Sequence, residues 1–99
     1  MSSNHARKMA ELKLDFLLRT REDIKTLQRA CEDAVLRTSQ ELKTLVHRLS
    51  GVTGMFGYES VSELAAELED ALATHNEREV EAKLHALIGA VDVMLNDAA

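Results

Sequence analysis

Apolar residues recur every three or four positions along almost the whole chain, and this spacing constrains the fold more than any other feature. Such spacing places side chains on one face of an α-helix, because an α-helix completes a turn every 3.6 residues. The chain contains no proline, and only 3% of its residues are aromatic. Strand-forming residues are therefore scarce, whereas the helix formers leucine, alanine and glutamate are abundant. The sequence predicts an all-α protein.

Four amphipathic segments follow one another with connections of only a few residues, which favours antiparallel neighbours. The first runs from Asn4 to about Val35, and its length suggests a break near the cap-like pair Thr20 and Asp23. Gly57 is placed to end the second helix. We therefore expect residues 1–99 to form a single domain, an antiparallel up-down four-helix bundle that a short extra N-terminal helix can accompany. Capping boxes predict the later helix starts at Thr38 with Glu41, Ser60 with Glu63, and Asn76 with Glu79.

The predicted core of the first segment is its apolar stripe. Cys31 lies on this stripe and is interpreted as a small buried hydrophobe. As the only cysteine it cannot form an internal disulfide, so a reducing, cytoplasmic location is expected. The stripe consists of Met9, Leu12, Phe16, Leu17, Ile24, Leu27, Cys31, Ala34 and Val35.

Charge and composition argue against several classes of function. The net charge of −5 leaves no general basic surface for nucleic acid. No apolar run approaches the roughly 18 residues that span a bilayer, and no glycine-rich phosphate loop indicates a nucleotide enzyme. The first fifty residues carry ten lysines and arginines against seven acidic residues, and the remainder carries two against ten. This asymmetry has two explanations: helices of opposite charge can pack against one another, or a mildly basic face can bind an anionic partner.

His47 is the residue that a plain bundle does not explain. On a helical wheel it points about 170° away from the apolar stripe of the second segment, and therefore into solvent. Gly51 and Gly54 share its face, although each exposed helical glycine costs about 1 kcal/mol relative to alanine. These glycines leave room for another molecule to approach the ring. Lys43 lies on the same side, and Arg48 and Ser50 flank the ring where they can reach a bound anion.

An uncovered imidazole suits phosphoryl transfer better than other chemistry. Metals need several converging ligands, and a general base needs a pocket that positions a substrate. Phosphoryl transfer needs a nucleophile with in-line access and charge stabilisation, which a partner can supply.

The run from His47 to Tyr58, HRLSGVTGMFGY, resembles the signature of histidine-containing phosphotransfer (HPt) domains. The family pattern is His-x-Leu-Lys-Gly, followed five and six residues later by an apolar residue and glycine. Leu64 and the pair Leu68-Glu69 are similar to the family's next helix. Ser50 stands where the family usually has lysine, so we suggest that Arg48 or Lys43 steadies the phosphate instead.

The resemblance implies that His47 accepts a phosphoryl group from a receiver-domain aspartate and passes it to another response regulator. The expected partners are receiver domains or hybrid histidine kinases, with no nucleic acid and no membrane. The protein would be a monomeric phosphoryl carrier rather than an enzyme, with no cofactor of its own and with Mg²⁺ supplied by the receiver. A four-helix adaptor that docks receivers or kinases without being phosphorylated is the alternative. A metal-binding bundle is disfavoured, because the histidines lack a converging Glu-x-x-His set.

Overall fold

Five helices make up the part of the chain that the computed structural model describes, residues 2–98. Four of them are long and one is a single turn, and within these residues there is no strand. The all-α bundle predicted from the sequence is confirmed. In chain order the helices are α1 (Ser2–Ala30), α2 (Ala34–Arg37), α3 (Gln40–Met55), α4 (Glu59–Ala73) and α5 (Glu77–Ala98).

The four long helices form a ring around one apolar core. α3 contacts α4, α4 contacts α5, α5 contacts α1, and α1 closes the ring against α3. The three-residue connections on either side of α4 make α3, α4 and α5 successively antiparallel. Each long helix contributes fully buried side chains to the core, among them Leu27, Leu42, Leu49, Leu68, Leu84 and Leu87.

The predicted break in the first helix is wrong, because α1 runs without interruption for 29 residues. The Thr20 hydroxyl donates to the carbonyl of Phe16 within the same helix at 2.7 Å instead of starting a new one. Asp23 is buried and pairs with Arg48 of α3. The short additional helix exists, but it is α2, which follows α1 rather than preceding it.

The ends of the first predicted stripe lie outside the core. Among residues 3–30 of α1, Phe16 is the first that is buried, and it stacks on Phe56 at the end of α3 with ring centroids 5.0 Å apart. Met9 and Leu12 lie beyond this contact and are 38% and 48% exposed. Val35 is exposed as well, because α1 ends at Ala30 and Val35 therefore does not lie on the same helix as the rest of the stripe. The beginning of α1 therefore projects past the buried core.

The helix ends match the predictions in part. Gly57 has the expected left-handed conformation (φ 85°), and Tyr58 and Gly57 donate backbone hydrogen bonds that close the last turn of α3. The carbonyl oxygen of the Asn76 side chain accepts from the Glu79 amide at 3.2 Å, as predicted. The other two caps differ: Ser39 rather than Thr38 caps α3, and α4 begins at Glu59 with no side-chain cap.

Cys31 lies at the end of α1 and is half-buried rather than buried. Burial raises the pKa of its thiol above the ordinary value, although the neighbouring Arg37 lowers that pKa in opposition. The thiol is therefore largely protonated at neutral pH, as expected for a residue that packs rather than reacts.

Candidate functional site

His47 projects from the middle of α3 into solvent, as the helical wheel predicts. Its side chain is 77% exposed, whereas the neighbouring residues Val46 and Leu49 are fully buried in the core. The outward face of α3 around it consists of exposed, uncharged residues. Lys43 and Arg48 border this face on its two sides, and the face itself comprises Gln40, Thr44, His47, Gly51, Gly54 and Met55.

One nitrogen of the His47 ring is held by a residue of the next helix. Nδ1 lies 2.7 Å from Oε2 of Glu69 on α4. Because an ionised carboxylate only accepts hydrogen bonds, Nδ1 carries the hydrogen and donates it to Glu69. In the neutral ring the other nitrogen, Nε2, then keeps a free lone pair. This is the arrangement that a nucleophilic imidazole needs.

The two glycines on the histidine face have different surroundings. A Cβ atom added at Gly51 would meet nothing within 4 Å, so the space outside this residue is open. A Cβ atom added at Gly54 would lie 3.1 Å from the Ser62 hydroxyl oxygen of α4. Gly51 therefore leaves room for another molecule, whereas Gly54 also permits the close approach of α3 and α4.

Ser50 faces α4 rather than the solvent beside His47. Its hydroxyl donates to the Ser62 carbonyl at 3.3 Å, and the Ser62 hydroxyl donates back to the Ser50 carbonyl at 2.7 Å. These reciprocal bonds tie the two helices together next to Gly54. The Ser50 hydroxyl is thus already engaged in helix packing.

Arg48 faces α1, on the other side of α3. Its guanidinium donates two hydrogen bonds to the Asp23 carboxylate, at 3.0 and 3.2 Å, and the Asp23 side chain is only 10% exposed. Such a bidentate pair holds the guanidinium firmly. The structure therefore does not bring Arg48 to His47, and it favours a structural contribution for this residue.

Lys43 is the predicted phosphate-contacting cation that is left without a partner. It lies one helical turn before His47, it is half-buried, and its ammonium makes no ion pair or hydrogen bond within residues 2–98. Its side chain borders a small cavity formed with α4 and α5. A lysine placed in this way is free to contact an anion.

The remaining histidines are exposed and stand apart from His47. His85 on α5 has its Nδ1 atom 2.8 Å from the backbone carbonyl of Glu81, one turn earlier. His75 lies in the connection between α4 and α5. Within residues 2–98, no three histidine, cysteine, aspartate or glutamate side chains converge as a metal site would require.

Glu69 is the site residue that the sequence analysis missed, although a signal for it was present. Gly54 contacts Ser62, and His47 contacts Glu69. In both pairs the midpoint along the sequence is position 58, in the connection between α3 and α4. A tight antiparallel hairpin pairs residues at equal distances from its turn. Reflecting His47 through the turn would have pointed to this part of α4, and the exact position of the turn centre then selects Glu69.

One of the three comparisons with known proteins, the one with family models, gives a match. The family model described as the Hpt domain matches residues 11–98. Among curated proteins and among solved structures, none matches the chain. In the part of the chain that the structure describes, no helix is both long and apolar enough to cross a membrane. The family match covers nearly the whole bundle, including His47 and Glu69, and this chain therefore belongs to the Hpt domain family, whose members carry phosphoryl groups in histidine phosphorelays.

Proposed function

We propose that His47 is the phosphoacceptor, taking a phosphoryl group from a receiver-domain aspartate and passing it to another response regulator. The observation that carries this proposal is the ring itself, which is exposed at mid-helix while Glu69 holds its Nδ1 atom. Membership of the Hpt family supports the general assignment to phosphorelay. The exposure of the His47 ring and the bonded Nδ1 atom support the choice of this residue.

The transfer step follows from this orientation. The lone pair of His47 Nε2 attacks the phosphorus atom in line, a nitrogen–phosphorus bond forms, and the bond to the aspartyl oxygen breaks to release a carboxylate. No proton leaves Nε2, because the hydrogen is on Nδ1. The ring becomes cationic, and the Glu69 carboxylate 2.7 Å away stabilises that charge.

Charge at the phosphoryl oxygens is offset from two directions in this proposal. Lys43, one turn away and unpaired, supplies a cation from the carrier itself. The receiver supplies Mg²⁺ together with the aspartate, so this chain needs no cofactor of its own. The Ser50 hydroxyl and the Arg48 guanidinium are engaged elsewhere, and we do not assign them to the phosphate.

The docking surface for the receiver is the uncharged outward face of α3 around His47. Gly51 keeps the approach open, and Met55, which is 65% exposed, offers apolar contact two turns further along the helix. Small and apolar residues at the centre with charges at the rim are typical of transient interfaces. Receiver domains and hybrid histidine kinases are the partners that this surface would bind.

A transfer experiment tests the proposal. The protein is incubated with a phosphorylated receiver domain, and incorporated phosphate is examined for acid lability and base stability, which mark phosphohistidine. We expect such phosphate in the wild type and in His85→Gln, which removes another exposed histidine with a bonded Nδ1 atom. We expect none in His47→Gln. Receiver binding without transfer in the wild type would instead favour the non-phosphorylated adaptor.

A further inference from the structure

A small cavity lies between the start of α3, the end of α4 and the start of α5. Its volume is about 80 Å³, which is room for several water molecules. Leu72 and Val80 form its apolar part, and its polar lining comes mainly from Arg37, Lys43, His75 and Glu77. Three of these four polar residues are basic, although the chain as a whole is acidic.

The Arg37 guanidinium leaves one buried donor unused. Its NH1 group donates to the carbonyls of Ala30 and Cys31, both at 2.9 Å, which fixes the side chain at the end of α1. Its Nε atom is buried and has no hydrogen-bond partner within the described residues. Glu77 lies 3.5 Å from Nε, but its side chain is 66% exposed and the contact is too long for a good hydrogen bond. A buried donor without a short hydrogen bond is uncommon, and because Arg37 lines the cavity, an acceptor bound there would complete its hydrogen bonding.

His75 is held in a conformation that favours glycine. Its φ is 56°, and it closes the end of α4 through backbone hydrogen bonds from His75 to Leu72 and from Asn76 to Ala71. A left-handed residue with a side chain is strained, and such strain is commonly found at functional sites. Here it places an imidazole at the edge of the cavity opposite a lysine that has no partner.

We propose that this cavity binds a small oxyanion of the size of sulfate or phosphate. Arg37 Nε donates one hydrogen bond to it, and the Lys43 ammonium and the His75 ring contact its other oxygens. Glu77 swings outward into solvent, where most of its side chain already lies. The cavity shares Lys43 with the proposed transfer site but does not include His47, so anion binding here can be measured whether or not His47 is phosphorylated.

Titration with sulfate and with inorganic phosphate tests the proposal. The full chain is titrated with each anion at constant ionic strength, against chloride, while backbone amide resonances are followed. We expect saturable shifts confined to residues 37–43 and 72–80 with sulfate and phosphate, and none with chloride. Lys43→Met removes the ammonium group, and His75→Asn removes the imidazole ring while keeping a residue that tolerates the left-handed conformation. Each should weaken binding roughly fivefold.

Matched variants separate this site from general charge effects. Lys25→Met removes an exposed lysine paired with Glu22, and His85→Asn removes an exposed histidine of α5. Both should bind sulfate as the wild type does, and so should His47→Gln. Shifts that do not saturate, or binding by Lys43→Met and His75→Asn that equals the wild type, would overturn the proposal.

Discussion

At the scale of single residues, the pair of His47 and Glu69 matters for chemistry more than for stability. Both side chains are substantially exposed, at 77% and 41%. Even a charged pair exposed to this extent contributes only about 0–1 kcal/mol to folding. Their 2.7 Å contact nevertheless fixes which ring nitrogen carries the hydrogen and which direction Nε2 faces. We therefore interpret Glu69 as a positioning residue for the phosphoacceptor.

Replacing Glu69 by glutamine should slow phosphotransfer without unfolding the protein. The amide can still accept from Nδ1, but it lacks the negative charge that stabilises the cationic ring, so we expect a roughly tenfold slower transfer. The measurement is the rate of phosphate transfer from a phosphorylated receiver, with thermal unfolding as a check on folding. Glu67→Gln is the control, because Glu67 also lies on α4 but pairs with Lys83. Equal rates for the two variants would show that Glu69 does not assist the ring.

At the scale of helices, the closeness of α3 and α4 sets the site. Gly54 permits the Ser62 hydroxyl to approach, and the reciprocal serine bonds fix the register that brings Glu69 to His47. Gly51 makes no such internal contact. Under the proposed function its lack of a side chain leaves room for the receiver, and this expectation can be tested.

Gly51→Ala should stabilise the protein and impair transfer at the same time. Alanine improves an exposed helix by about 1 kcal/mol relative to glycine, which raises the melting temperature by about 4–8 °C in a domain of this size. The added methyl group lies in the receiver's path, so transfer should slow. Gly89→Ala on α5 is the matched control, because that position is also open, and it should give the stabilisation alone. Unimpaired transfer by Gly51→Ala would contradict an access function for Gly51.

A second contact between helices, Arg48 with Asp23, joins α3 to α1. Arg48→Ala leaves a largely buried carboxylate without its partner, so we expect a loss of about 1–3 kcal/mol in the free energy of unfolding. The double variant Arg48→Ala, Asp23→Ala should lose less than the two single losses combined, as measured by urea denaturation. Strictly additive losses would mean that the pair is not coupled.

The helices and the exposed histidine could be predicted from sequence because helical periodicity is a local property. The predicted break at Thr20 was wrong because the local sequence does not show that Asp23 has a partner in another helix. Thr20 and Asp23 resemble a cap, but the Thr20 hydroxyl bonds within its own helix and Asp23 meets Arg48, 25 positions away. The same tertiary contact engages the guanidinium of Arg48, which the sequence had suggested as a contact for the phosphate. Ser39 rather than Thr38 caps α3. Both residues have a hydroxyl group that can cap a helix, so the sequence alone does not distinguish them.

At the scale of the whole molecule, the bundle is elongated, measuring 49 × 21 × 21 Å. The two halves of opposite charge pack against one another, with Arg37 contacting Glu77 and His47 contacting Glu69. Residues 3–15 of α1 are all exposed and extend the long axis. Burial in the core therefore begins near Phe16, within a helix that starts further upstream.

Removing residues 1–11 should leave the bundle intact. The segment contributes no buried side chain among its described residues, and exposed positions typically change stability by at most about 0.5 kcal/mol. We expect the melting temperature to fall by less than about 4 °C while helix content falls in proportion to the residues removed, both followed by circular dichroism. A cooperative loss of stability well beyond this would show that the projecting part of α1 supports the core.

The most direct test of the proposed phosphoacceptor is to locate the phosphate within the imidazole ring of His47. Nitrogen-15 spectra of the histidine rings, recorded after transfer from a receiver, identify the phosphorylated nitrogen through its coupling to phosphorus. We expect phosphorus on Nε2 of His47, with the hydrogen of Nδ1 still directed at Glu69. Phosphorus on Nδ1, or on His5, His75 or His85, would contradict the proposed mechanism.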